Sequence, residues 1–147
     1  MKTTRIALAA LALTIIGSAG YSVGQRKSMG QEKNQDTRVY ELRTYTTLPG
    51  RLPALNKRFA DHTLKLFEKH GIKNEMYWTP LDDERKDNTL IYVVSHASRE
   101  AADANWKAFQ ADPDWQKARA ESEADGKILA KAPERVWMQA TDYSPRR

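Results

Sequence analysis

Residues 89–97, Thr-Leu-Ile-Tyr-Val-Val-Ser-His-Ala, do most to narrow what this chain can fold into. They are strand-forming almost throughout, yet the apolar residues do not alternate with polar ones. Such a run suits a β-strand covered on both faces. The neighbouring segments indicate what covers one of them. Residues 37–48 read as an earlier strand, with Val39, Tyr40, Leu42, Thr44, Tyr45, Thr46 and Thr47 ended by Pro49-Gly50. A helix follows from Pro53, where the missing N–H costs nothing. Leu52, Leu55, Phe59, Thr63, Leu66 and His70 step by three or four along it, and Gly71 is a natural terminator. Residues 72–79 form a strand containing Met76, Tyr77 and Trp78, closed by Pro80 and a charged turn.

After the apolar strand, Ser98 can cap a second helix, with Ala102, Asn105, Trp106 and Phe109 on one side. Asp112-Pro113 restarts the helix, which runs through Trp115 and Ala118 to about Ala124 before Gly126. Residues 134–141, with Val136, Trp137 and Met138, read as the last strand. The order is β-α-β-β-α-β, the ferredoxin-like arrangement: an α+β fold with helices on one face of a four-stranded antiparallel sheet. The first and third strands are then central. The third is apolar on both sides, and residues 37–143 are too few to cover the second sheet face in cis. A second copy can, so a homodimer with two sheets face to face is expected.

The N-terminus reads as an address. Lys2 and Arg5 precede an apolar run at 6–16, and Gly17, Ser18 and Ala19 supply small residues for cleavage after Ala19. The reading is a signal peptide at 1–19, a flexible polar tether at 20–36, the domain at 37–143 and a tail at 144–147. The protein is then exported, periplasmic or secreted. An uncleaved leader anchoring it in a membrane is the alternative, although the run is about half the roughly 20 residues a spanning helix needs. The formal charge is +5, and losing Lys2 and Arg5 with the leader brings it closer to balance.

Composition closes several routes. There is no cysteine, hence no disulfide and no thiolate chemistry. No G-x-S-x-G elbow and no Gly-rich phosphate loop is present. Basic and acidic residues are interleaved, as at Arg119, Glu121, Glu123, Asp125 and Lys127, which describes a solvated helix face and not a nucleic-acid patch.

Two segments carry a family resemblance. The first is Val39-Tyr40-Glu41-Leu42-Arg43-Thr44-Tyr45 followed by Pro49-Gly50. The second is Trp106-Lys107-Ala108-Phe109 followed by Asp112-Pro113-Asp114-Trp115. Together they resemble the NIPSNAP family over residues 37–143. The resemblance implies the dimeric α+β barrel superfamily, which includes cofactor-free monooxygenases, haem-degrading enzymes, isomerases and stress-response barrels. The NIPSNAP branch has no settled reaction, so the resemblance speaks to fold more than to function.

The chemistry-bearing residues each admit two readings. His62 either lines a cavity between helix and sheet, as an acid–base group or haem ligand, or is a partly buried structural histidine. His62 and His70 lie too far apart on one helix to chelate together, and no metal site is expected. Glu41, Arg43 and Tyr45 share one strand face. Arg43 either holds an anionic substrate or joins Glu41 in a buried or interfacial pair across the dimer. Tyr77, Trp106, Phe109 and Trp115 either wall a pocket for a flat apolar ligand or are core, with Trp115 also fixing the helix break. Asn105, Trp106 and His62 are the residue types that cofactor-free monooxygenases use, without a position-by-position match.

The expectation is a domain that binds a small apolar or aromatic molecule between sheet and helices. The alternative is a cofactor-independent monooxygenase or isomerase using His62, Arg43 and Tyr45. No cofactor is predicted, haem being the one that the superfamily leaves open. The expected partners are a second copy and the small ligand, with no nucleic acid and, after cleavage, no membrane.

Overall fold

A computed structural model describes residues 38–145; the leader at 1–19 and the tether at 20–36 lie outside the described residues. Four strands, β1 (Val39–Thr46), β2 (Lys73–Trp78), β3 (Thr89–His96) and β4 (Glu134–Met138), form one sheet in the order β2-β3-β1-β4. All neighbouring pairs are antiparallel. The first and third strands are thus central, as the sequence order requires. β4 ends earlier than residue 141, and β1 is shorter than 37–48 at both ends.

One rod crosses the sheet as α1 (Leu52–Arg58), a π turn (Phe59–Thr63) and α2 (Leu64–Lys69). The π turn shifts the helical phase. On a regular helix, His62 would lie seven residues after Leu55, on the buried stripe. Here Thr63 takes the inward place at 1% exposure, and His62 is turned out to solvent. The turn is closed by the Leu64 N–H bonding the Phe59 carbonyl, and the Thr63 hydroxyl donates to the Arg58 carbonyl at 3.2 Å. π turns of this kind insert one residue into an α-helix.

The end of α2 is built by Gly71, at φ +72. Its N–H bonds the Glu68 carbonyl at 3.1 Å, and the Ile72 N–H bonds the Phe67 carbonyl at 2.9 Å. This is the Schellman closure, with Ile72 buried behind it.

The second helical layer is α3 (Arg99–Ala111) and α4 (Pro113–Ser122). Ser98 caps α3 by accepting from the Ala101 N–H at 3.1 Å. Asp112 caps α4 from the Asp114 N–H at 2.8 Å. The other Asp112 oxygen takes Lys69 at 2.8 Å and His70 at 2.6 Å, joining the two helical layers. The hydrogen bonds from Lys69 and His70 hold that carboxyl well below the ordinary range.

The space between sheet and helices is filled by aromatic rings. Tyr92 stacks on Tyr77 at 5.2 Å and meets Phe59 and Tyr45 edge-on at 5.2 and 5.3 Å. Phe67 meets Phe109 and Trp106 at 4.9 and 5.3 Å. On β3, Leu90, Tyr92, Val94 and His96 are buried beneath the helices, whereas Ile91 and Val93 point to the other side and are half-buried. The apolar run is therefore two faces superimposed, only one of which this chain covers.

A Cβ added at Gly71 would stand 3.2 Å from Asn105 Nδ2, in a backbone conformation that side chains rarely adopt. Gly71→Ala is expected to lower stability by about 1–2 kcal/mol, read as an earlier urea midpoint with unchanged slope.

Candidate functional site

The one wholly buried carboxylate of the sheet lies under α3. Glu41, in the middle of β1, is 0% exposed. One oxygen accepts from Arg43 Nη1 at 2.7 Å and the other from Trp106 Nε1 at 2.7 Å. His96 Nε2 approaches to 3.6 Å, too long for a hydrogen bond. Burial alone would raise the carboxyl's pKa, but His96, Arg43 and Trp106 together more than offset that and hold it below its ordinary value.

Alternation explains why these groups meet. Glu41, Arg43 and Tyr45 project to the helix side of β1, and His96 projects to the same side of β3. Arg43 lies over the Trp106 ring at 4.4 Å, a cation–π contact in a site shielded from water. Behind His96, Asn105 Nδ2 reaches its Nδ1 at 3.4 Å and donates to the Gly71 carbonyl at 2.9 Å. Asn105 spends its N–H groups on both, so His96 Nδ1 is the acceptor and Nε2 carries the proton toward Glu41. Trp137, opposite Glu41 on β4, stands 6.0 Å from His96 and carries Arg99 over its ring at 3.7 Å. Arg43 Nε and His96 Nε2 are buried without a hydrogen-bond partner among the described residues, as are Arg51 Nε, Arg58 Nε and Thr47 Oγ1 outside this cluster.

The structure redistributes the residues singled out in the sequence. Arg43 is in the cluster, in a buried pair with Glu41, because two residues apart on a strand they share a face. Tyr45 lies deeper, its hydroxyl accepting from Tyr92 at 3.1 Å. Tyr77, Trp106 and Phe109 are ring-to-ring contacts of the core, and Trp115 packs on Phe109 at 4.5 Å. Burial pushes the Tyr77 and Tyr92 phenols up, keeping both neutral.

His62 does not face the sheet. It lines an open groove of about 420 Å³ between the π turn and α4, with Asp61, Arg58, Ala118 and Glu121. A haem does not fit there, because the walls carry charges of both signs where a macrocycle needs an apolar slot. Among the described residues no group of three His, Asp or Glu side chains could hold a metal ion.

Sequence reasoning passed over His96 and Trp137. The signal for His96 was parity: it follows Leu90, Tyr92 and Val94 at two-residue steps and so shares their buried face.

Glu41→Gln removes the charge that balances Arg43 and is expected to cost about 3 kcal/mol in urea unfolding at pH 7. The folded pKa lies below the ordinary 4.5, so this stabilisation is present above that value and is lost as pH falls through the folded pKa. The gap between wild type and variant should therefore narrow below pH 4.5.

A family model described as NIPSNAP matches residues 40–145. No curated protein matches the chain. Among solved structures, a NIPSNAP family protein of unknown function from Agrobacterium tumefaciens str. C58 is similar at TM-score 0.63 and 21% identity, covering 76% of this chain and 95% of that one. An uncharacterized NIPSNAP-like domain protein from Burkholderia xenovorans is similar at TM-score 0.64 and 14% identity, covering 75% and 90%. A cofactor-independent oxygenase from Streptomyces nogalater shows a looser likeness, with TM-score 0.49 and 15% identity over 74% and 98%. At such identities the likeness is one of fold, the α+β arrangement with a four-stranded antiparallel sheet. With the family model spanning nearly the whole described domain, the chain belongs to the NIPSNAP family.

Proposed function

We propose that this chain is an exported, homodimeric domain that binds a small apolar or aromatic molecule between sheet and helices, beside Trp106 and Trp137. The observation that carries the reading is the buried Arg43 Nε, a donor with no hydrogen-bond partner among the described residues. A buried donor left unmet costs about 1–3 kcal/mol. Here it lies beside the Glu41 carboxylate and the Trp106 ring, and a ligand presenting an acceptor would meet it. Convergent polar groups in an aromatic surround are the usual make-up of a small-molecule site. The deeper space is occupied by the Tyr92 ring cluster.

The dimer is supported by the other sheet face. β-pairing puts Tyr40 with Met138, Leu42 with Val136, Met76 with Val93 and Trp78 with Ile91 on that side. Met76, Trp78 and Val136 are 45–55% exposed. A contiguous apolar face of this kind marks an interaction surface, and an isologous pairing covers it with one operation. Export is supported by the leader pattern at residues 1–19. Among the described residues no helix is long and apolar enough to cross a membrane.

A second reading, a cofactor-independent monooxygenase or isomerase, is favoured by one observation: His96, Asn105 and Trp106 stand together. The proton placement weighs against it. His96 Nδ1 is engaged by Asn105, Nε2 already carries its proton, and the Glu41 carboxylate is held in a weakly basic state, so the cluster lacks a ready base. Among the residues marked for catalysis, Arg43 borders this site, Tyr45 lies deeper in the core, and His62 stands in the groove on the far side of the helices.

Native mass spectrometry of the purified protein should give a dimer with a co-purified small molecule that leaves on denaturation. A bare dimer whose Trp indole NMR signals stay still across a panel of aromatic ligands would count against binding. Val93→Glu should convert the dimer to a folded monomer by light scattering at micromolar concentration; a wild-type monomer there removes the dimer.

A further inference from the structure

The β1–β4 register sets Arg43 directly opposite Arg135. Directly paired residues share a sheet face, with Cβ atoms about 5 Å apart, and like charges there repel. Both point to the helix side, since Arg43 lies over Trp106 and Arg135 is 5.9 Å from the Trp137 ring. The charges around them do not cancel. Glu41 accounts for Arg43, and Arg99 is met by Asp103 at 2.9 Å. Glu134, the acidic neighbour of Arg135, is paired with Lys131. Arg135 has no ion-pair partner among the described residues, and the buried Arg43 Nε facing the same corner has no acceptor.

We propose that the ligand of this site is a planar aromatic carboxylate, its anionic group held between Arg135 and Arg43 and its ring laid along Trp137. The proposal rests on the binding reading above and adds the charge and shape of what is bound. One unbalanced guanidinium matches a monoanion. The planar fork of a guanidinium fits the two oxygens of a carboxylate. Trp137 is half-buried, so a flat ring would lie against the part left exposed, and Arg99 over the same indole at 3.7 Å adds positive potential to the approach. The exposed Arg135 can meet a ligand arriving from solvent, whereas Arg43 waits beneath it. Glu41 keeps a neutral ligand from gaining as much, because its oxygens are already taken by Arg43 and Trp106.

The test uses the purified full chain, with 2-naphthoate and its neutral isostere 2-naphthamide as probes. Binding is followed by calorimetry and by the Trp137 indole NMR signal, assigned through Trp137→Phe. The naphthoate should bind at least tenfold tighter than the amide. Arg135→Gln should weaken the naphthoate about tenfold and leave the amide unchanged. Without ligand, the same substitution should raise the melting temperature, because it removes the facing like charge.

If both probes move the Trp137 signal with equal affinity, the anion proposal is overturned and the binding reading stands. If neither moves it, both fall. A charge preference that survives Arg135→Gln, or a melting temperature that drops, also overturns the proposal.

Discussion

A single carboxylate with no contact to water organises this domain. Glu41 ties β1 to α3 through Trp106, compensates the guanidinium of Arg43 and faces His96 across the β1–β3 boundary. An ion buried this way is tolerated only when its oxygens are filled, and each is filled by a donor from a defined direction. The position of α3 on the sheet, the rotamer of Trp106 and the orientation of Arg43 therefore follow from one side chain. Asn105 extends the same logic to the end of α2, because its amide holds both His96 and the Gly71 carbonyl.

The elements were legible in the sequence because their signals are local. Ser98 and Asp112 cap the helices where their side chains suggest, Gly71 ends α2, and strand alternation places Glu41, Arg43 and Tyr45 on one face. The site was only half legible. That Glu41 would accept from Trp106, 65 residues away, depends on how α3 crosses the sheet, and no local period encodes that. His96 could have been placed by counting in twos from Tyr92. The stripe of Phe59, Thr63 and Leu66 already left His62 beside the buried face, but the π turn that turns it fully outward is announced by no residue type.

The domain resolves a competition between packing and opening. Rings from β1, β2, β3 and all the long helices fill the middle, and such edge-to-face contacts are favourable beyond the area they bury. The apolar demand of the sheet is met unequally. The helix side is filled by rings around Tyr92, and Arg43, Arg135 and Trp137 lie toward β4. The opposite side is left to another surface. What remains adaptable is thus the β4 margin, where changing Arg135 or Trp137 leaves the Tyr92 cluster intact.

The π turn gives the long helical rod a spare residue. Because it holds one residue more than an α-helical turn, the two flanking segments keep their own buried faces on either side of it. Deleting a single residue within 59–63 would let the rod close into continuous α-helix without rotating Leu55 or Phe67 away from the sheet. Most helices respond to a one-residue deletion by turning every later side chain by about 100°. This one can absorb the change, so the outer surface around His62 can be lengthened, shortened or reshaped while the core beneath keeps its register.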